Sequence, residues 1–412
     1  MSLPSEIDVA VIGAGAAGIA AGRRLLDAKF SFIVLEAQSR AGGRAWTKTV
    51  AGFPLDLGCG WLHAADENAW SKIAAAEGLS VDRTEPPWGK EALTYGFPAE
   101  QQREFRKAIA AFYARLDAAE TTRRDRPLAD LLEPGGSWNA RINAISTYVN
   151  GVELDRASLC DYGAYEDSGV NWRVNEGYGA TIAAHARALP IAFDCAVRTI
   201  DHGGARLKVD TTQGALAART AIVCLPSALI AEEAVRFMPA LPAKVEAAGA
   251  LPLGLADKTF LALTEARIFP PESRIFGKQH VSGAANYHMR PFGRPVIEAY
   301  FGGKLARELE ESGEQAFAEF CIDDLVGLVG NDLRPKLSLL AASAWARDPF
   351  ARGSYSYAIV GHAGARQKLA AAVDDRLFFA GEACSPTHFS TAHGAYETGI
   401  RAATQAIEAL RR

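Results

Sequence analysis

No Cys-x-x-Cys pair occurs in this chain; its six cysteines, Cys59, Cys160, Cys195, Cys224, Cys321 and Cys384, stand far apart. That scatter offers no zinc site, redox dithiol or disulfide framework, and it suits a reducing, cytoplasmic compartment. No run of ~20 uninterrupted apolar residues is present, the length a membrane-spanning helix needs, so no membrane partner is expected. The leader before Ile7 is short and lacks a basic segment, so no signal peptide is expected. Lys and Arg number 44 against 48 Asp and Glu, a formal net charge of -4. Nucleic acid and anionic lipid both attract clustered positive charge, so neither is an expected partner. Repeats, low-complexity tracts and long Gly/Ser linkers are also missing. No arrangement of Ser, His and Asp reads as a nucleophilic triad. What remains is an ordinary globular composition, 49% hydrophobic and 22% charged over 412 residues, enough chain for a large buried site and a small-molecule chemistry.

The first positive signal is a strand, a tight turn and a helix. Residues 7–12 read IDVAVI, and Gly13-Ala14-Gly15-Ala16-Ala17-Gly18 follows, opening an alanine-rich helical stretch to about Ala28. Gly13 permits the turn, Gly15 lets the backbone approach a pyrophosphate, and Gly18 lets the helix pack on the strand. A second strand, FSFIVLE, ends at Glu36, where an acidic side chain bonds a ribose hydroxyl pair and repels a 2′-phosphate. This is a dinucleotide site, open at this point to NAD or FAD.

The segment beyond Glu36 narrows the choice. It carries Gly42-Gly43-Arg44 and then DLGCGWLH from Asp56 to His63. From here the chain resembles the flavin-containing amine oxidase family, which includes monoamine oxidases, polyamine oxidases and flavin histone demethylases. The resemblance implies FAD, with Gly42, Gly43 and Arg44 at its diphosphate. The physics agrees, since a glycine turn exposes N–H groups and a guanidinium grips phosphate bidentately. It further places the adenine against the backbone near Val197 in DCAVRTIDH, and Glu382, in LFFAGEACS, at the ribityl or diphosphate region. The residue that carries covalent flavin in monoamine oxidases is a cysteine; Ser354 stands there, so the FAD is expected to be noncovalent.

The resemblance runs through nearly the whole chain in alternating blocks. The expected fold class is α/β plus α+β: a doubly wound, Rossmann-like FAD-binding domain from residues 1–65, 175–240 and 339–412, and a discontinuous substrate-binding domain of mixed sheet plus helices from 66–174 and 241–338. Helices are expected at about 66–77, 99–118, 138–151 and 305–329, and a last helix beginning near Gly394 to Tyr396 aims its positive end at the flavin pyrimidine. Alternating runs such as KTFLALT and RPVIEAYF read as strands of the second sheet.

Oxidation of an amine needs positioning more than acid–base machinery, because a neutral amine delivers hydride to flavin N5 once the two are in contact. Lys258, in LADKTFLAL, matches the family lysine that reaches N5 through a water. In RGSYSY the resemblance makes Tyr357 the aromatic wall facing the flavin and leaves Tyr355 to packing, with Trp345 in support. Trp61, His63 and Thr391 are expected to line the substrate pocket. No second cage aromatic is found among Ser390, Thr391, Ala392 and His393.

The expected function is FAD-dependent oxidation of a primary, secondary or polyamine to an imine that hydrolyses to an aldehyde or ketone, with O2 or another acceptor reoxidising the flavin. The segment DLGCGWLH lacks the arginine that binds an α-carboxylate in L-amino-acid oxidases, so amines without that group are preferred. An L-amino-acid oxidase, a carbon–carbon desaturase of the same fold, and a non-catalytic flavin-binding interaction protein stay open as alternatives. A histone substrate is not expected, since no long coiled-coil insertion is present.

Overall fold

The computed structural model describes residues 3–120 and 124–412. Its first unit is an eight-stranded sheet. Glu6–Ile12 lies at the centre, paired in parallel with Gly214–Val223 on one side and Phe32–Leu35 on the other, with Ile191–Ala192 parallel beyond. The strand Gly214–Val223 is shared. Its first half pairs antiparallel with Leu207–Thr211, while residues 221–223 pair in parallel with Leu377–Phe379. Val197–Asp201 and Arg236–Met238 complete the outer edge. The central strands are apolar on both faces because helices cover both. Ala10 and Ile12 enter one core, whereas Val9 and Val11 enter the other with Ile19 and Ala402. Each buried Ile or Val among them stabilises the fold by roughly 1.5–3 kcal/mol.

The helices Ala16–Asp27 and Ala392–Arg411 pack together over the second of these cores. Small residues allow the close approach: a Cβ on Gly399 would lie 2.1 Å from the Ala17 carbonyl oxygen.

The second unit is a five-stranded antiparallel sheet in the order Ser273–Phe276, Asn286–Met289, Val296–Gly302, Ala256–Leu263, Leu337–Ala342. Ile297, Ala299 and Phe301 point to one face, where they meet Phe317, Cys321 and Leu325 of the helix Glu314–Val329. Glu298 and Tyr300, the alternate residues, point the other way, as the two-residue period of a strand requires. A fourth cluster joins Ala99–Glu120 and Asn139–Val149 around Phe105, Phe112 and Trp138.

The α/β and α+β classes are those expected, with several boundaries moved. Leu337–Ala342 pairs with Ala256–Leu263, so the second sheet extends past the expected border at 339. The helix Pro242–Gly249 packs Ala247 and Ala248 into the first sheet's core, although the border at 240 assigned it to the other unit. The helix expected over 305–329 is two, Gly303–Ser312 and Glu314–Val329, broken where Gly313 takes φ +96°. The last helix begins at Ala392 because the Thr391 side chain caps it, accepting from the Gly394 amide.

Candidate active site

Two glycine turns meet at one end of a cavity of about 1240 Å³. Gly13 has φ +99°, and a Cβ on Gly18 would lie 1.8 Å from the Gly13 carbonyl oxygen, so both must be glycine for the first helical turn to close on its strand. Gly18 therefore packs and does not line the cavity. A Cβ on Gly15, by contrast, meets nothing within 4 Å. Gly15 faces the open cavity at a helix N-terminus, whose unpaired N–H groups suit a pyrophosphate. The Gly42 amide donates to the Ala14 carbonyl at 2.8 Å, and a Cβ on Gly43 would sit 3.4 Å from Gly15 Cα, which brings the second turn against the first.

Glu36 lines the cavity beside them and is buried. Its carboxylate accepts the Ala14 amide at 2.6 Å and the Gln38 amide at 2.8 Å, which leaves lone pairs for a ribose. Burial, opposed by these amides, leaves its carboxyl above the usual range. Val197 borders the same space. Glycine cradle, carboxylate and helix terminus fit the adenosine diphosphate half of FAD. The cavity exceeds the ~300–1,000 Å³ of an ordinary small-molecule pocket, leaving room for a dinucleotide and a substrate together.

Farther along, Arg44 and Glu382 face each other. Arg44 Nη1 donates to Glu382 Oε1 at 2.9 Å and to the Ser354 carbonyl at 2.8 Å. Glu382 also accepts from Ser356 Oγ at 2.6 Å and from the Ser390 amide at 2.9 Å, joining three loops at one carboxylate. Its burial favours the neutral acid, but Arg44, Arg366 and Ser356 together hold it ionised, below its ordinary pKa. Trp345 lines the cavity and donates its indole N–H to the Leu57 carbonyl at 3.0 Å. Ser354 Oγ bonds both backbone groups of Ala256. Cys59, another wall residue, has its thiol pushed up to about 12 by burial and by Asp56, so it stays a thiol rather than a nucleophile.

One face of the five-stranded sheet forms the cavity floor. Strand register aligns Lys258 with Tyr300 and Tyr300 with Asn286; one step away, Glu298 aligns with His288 and His288 with Arg274. All six line the cavity. Lys258 Nζ is 2.9 Å from Glu298 Oε1 and donates to the Asp56 carbonyl at 3.1 Å. Burial alone would depress the lysine, but Glu298 and Asp56 outweigh it and hold Lys258 above its ordinary value. Glu298 is depressed in turn: burial pushes it up, and Lys258 and His288 pull it down further. His288 Nε2 lies 2.7 Å from Glu272, which also pairs with Arg173 at 3.0 Å.

The walls around this floor are aromatic. The Tyr300 and Tyr355 hydroxyls are 2.9 Å apart, and the Tyr355 hydroxyl also bonds the Tyr148 carbonyl. Trp61 meets Trp88 edge-on at 4.3 Å and stacks near His288. Of the two tyrosines in RGSYSY, Tyr355 lines the cavity; the expected wall, Tyr357, is buried in the helical cluster near Arg156. The assignment is corrected for a physical reason: Tyr355 has hydroxyl partners on the sheet floor, and Tyr357 finds its packing among the helices. His63 lines the cavity, with Nδ1 2.5 Å from Asn171 Oδ1, and burial holds its imidazole below the ordinary value. Thr391 lines it as a helix cap.

Tyr148, Tyr300, His288 and Glu298 were not singled out from the sequence. The alternation in PVIEAYF carried the signal for two of them, because Glu298 and Tyr300 share the face that Lys258 presents. His288 and Tyr148 reach the site only through long-range packing.

A family model described as flavin containing amine oxidoreductase matches residues 16–150 and 157–407. Polyamine oxidase 2 of Arabidopsis thaliana is 30% identical over 433 residues, covering 96% of this chain and 87% of the relative. Polyamine oxidase 3 of Oryza sativa subsp. japonica is 29% identical, covering 98% and 89%. The solved structure of cyclohexylamine oxidase from Brevibacterium oxydans shares the fold with TM-score 0.80 at 20% identity, over 99% of this chain and 100% of the other. With a dinucleotide cradle opening into an aromatic chamber, and a family match spanning nearly its whole length, this chain belongs to the flavin-containing amine oxidoreductases, enzymes that use FAD to oxidise amines.

Proposed function

We propose that the protein oxidises an amine lacking an α-carboxylate, that O2 reoxidises its flavin, and that the FAD is held noncovalently. The observation that carries this reading is that a single cavity joins the glycine turns and Glu36 to an aromatic chamber floored by Lys258. Bound flavin supplies the two-electron oxidation of the carbon–nitrogen bond; the chain's residues bind, orient and desolvate. Trp61, Tyr300 and Tyr355 enclose the reacting end. No arginine stands beside them in DLGCGWLH to hold a carboxylate next to the nitrogen. An alkylammonium, with a pKa near ~10.4, must lose a proton before it reacts, and desolvation by aromatic walls favours that loss. Lys258, kept positive by Glu298 and Asp56, stabilises negative charge that develops as oxygen accepts electrons. Ser354 and the protonated Cys59 thiol support noncovalent flavin, since neither is an ionised nucleophile.

The test compares kcat/KM for hexylamine and L-norleucine across pH, in the wild type and in Tyr355→Phe and Tyr357→Phe. Hexylamine is expected to win, its kcat/KM rising with pH, and Tyr355→Phe to lower it at least ~tenfold more than Tyr357→Phe. Preference for norleucine, or equal effects of the two substitutions, contradicts the reading.

A further inference from the structure

We propose that the substrate carries a carboxylate several bonds from its amine, and that Arg274 is the residue that holds it. The inference rests on the amine-oxidation reading above and names the substrate class of that site.

Arg274 lies on the edge strand Ser273–Phe276 and lines the same cavity as Lys258. Its Nη2 donates to the Lys90 carbonyl at 3.1 Å, and its buried Nε has no partner. Among the described residues no carboxylate pairs with it. The charged or titratable groups that act on it are Tyr148 and Arg106; burial, the largest influence, brings the guanidinium down to about 10, so it stays protonated at neutral pH. Arg106 is engaged with Glu91 at 3.1 Å on the exposed rim. A second buried guanidinium, Arg141, lies 3.8 Å from the centre of the Phe276 ring, which Arg274 also contacts at 4.5 Å. Arg274 therefore lies against an aromatic surface at this end of the chamber without a carboxylate of its own, since Glu91 is paired with Arg106 and Asp324 acts on Arg141. A buried charge without a partner is costly, and a planar guanidinium with an open N–H edge is matched by a carboxylate.

Position on the floor sets where that carboxylate sits relative to the reacting carbon. Arg274 and Lys258 are on strands three spacings apart, roughly 14 Å between backbones at ~4.8 Å per spacing. An α-carboxylate is bonded to the reacting carbon itself and cannot span that floor, whereas an ω-amino acid can. A di- or polyamine would instead bring a second ammonium toward Arg274 and Arg106. Glu298, the carboxylate on the floor nearest the reacting end, is already paired with Lys258.

The experiment uses the flavin-loaded enzyme as wild type, Arg274→Gln and Arg274→Lys. Values of kcat/KM are measured for 6-aminohexanoate and 8-aminooctanoate, for the alkylamines of the same lengths, and for the corresponding α,ω-diamines. In parallel, hexanoate and octanoate, which carry no amine, are titrated against the flavin absorbance. The better amino acid should exceed its diamine at least ~tenfold in the wild type. Arg274→Gln should lower the amino acid at least ~tenfold more than it lowers the alkylamine, with Arg274→Lys intermediate. The Kd of the better alkanoate should rise at least ~tenfold in Arg274→Gln. Preference for the diamine, equal losses for amino acid and alkylamine, or an unchanged alkanoate Kd overturns the proposal. If none of the amines is oxidised, the amine-oxidation reading fails by itself, and the alkanoate titration still decides the role of Arg274. Should Arg274→Gln lose flavin, the Arg274→Lys comparison carries the same test, since that variant keeps the charge and loses the planar fork.

Discussion

At the scale of single residues, the buried Lys258–Glu298 pair combines stability with chemistry. Removing one partner of such a pair leaves an uncompensated charge, a loss of ~3–5 kcal/mol. Lys258→Met should therefore destabilise the protein by about that much, as read by urea unfolding, and slow flavin reduction, reoxidation or both in stopped flow. Lys258→Met combined with Glu298→Gln should recover most of the stability and none of the rate. Recovery of both would reduce Lys258 to a structural cation. His393 offers a second test. It is buried on the cavity wall with Nε2 unpartnered, and burial, with His388 and His63 adding, brings its imidazole down to about 3. As pH falls below ~6.5 the unfolded chain takes up this proton first, so folded stability drops by at most ~1.4 kcal/mol per pH unit until about pH 3. The unfolding free energy of His393→Asn should fall less steeply over that window. Superimposable pH profiles would contradict the assignment.

Residue-level legibility in the sequence followed the range of the forces involved. Gly13, Gly15, Gly18 and Glu36 were readable because a tight turn and a strand end are local. The choice between Tyr355 and Tyr357 was not. Both belong to one extended segment, and the hydroxyl contacts of Tyr355 with Tyr300 and the Tyr148 carbonyl lie 55 and 207 residues away.

At the scale of elements, strand patterns were readable and terminations less so. KTFLALT and PVIEAYF alternate because one face meets helices and the other the cavity. Gly313 ends a helix inside a stretch whose neighbours all favour continuing it. Glycine positions also provide a paired test. Gly327 lies within the helix Glu314–Val329, and a Cβ there would meet nothing within 4 Å, so Gly327→Ala should raise stability by roughly 0.5–1 kcal/mol in urea unfolding. Gly399→Ala places its Cβ 2.1 Å from the Ala17 carbonyl oxygen. It should push the last helix off the first, lowering Tm and flavin content together. A neutral Gly399→Ala would mean that the two helices are not in close contact.

At the scale of the whole molecule, the active site is assembled from segments that no local pattern joins. The cradle comes from the first strand and helix, the floor from a sheet roughly 250 residues later in the chain, and the walls from the segments around Trp61, Trp88 and Tyr355 and from the helix Asn139–Val149. The family resemblance anticipated the cofactor and singled out Lys258, which lines the cavity floor, while the far end of the chamber became visible only when Arg274, Arg106 and Phe276 were brought together in three dimensions. The central claim is that bound flavin in this cavity takes electrons from an amine. Anaerobic titration of the yellow protein with hexylamine, octylamine and the ω-amino acids tests it most directly. The account predicts that the flavin absorbance bleaches with at least one of these amines and returns on admitting air; flavin that stays oxidised with every amine would contradict it.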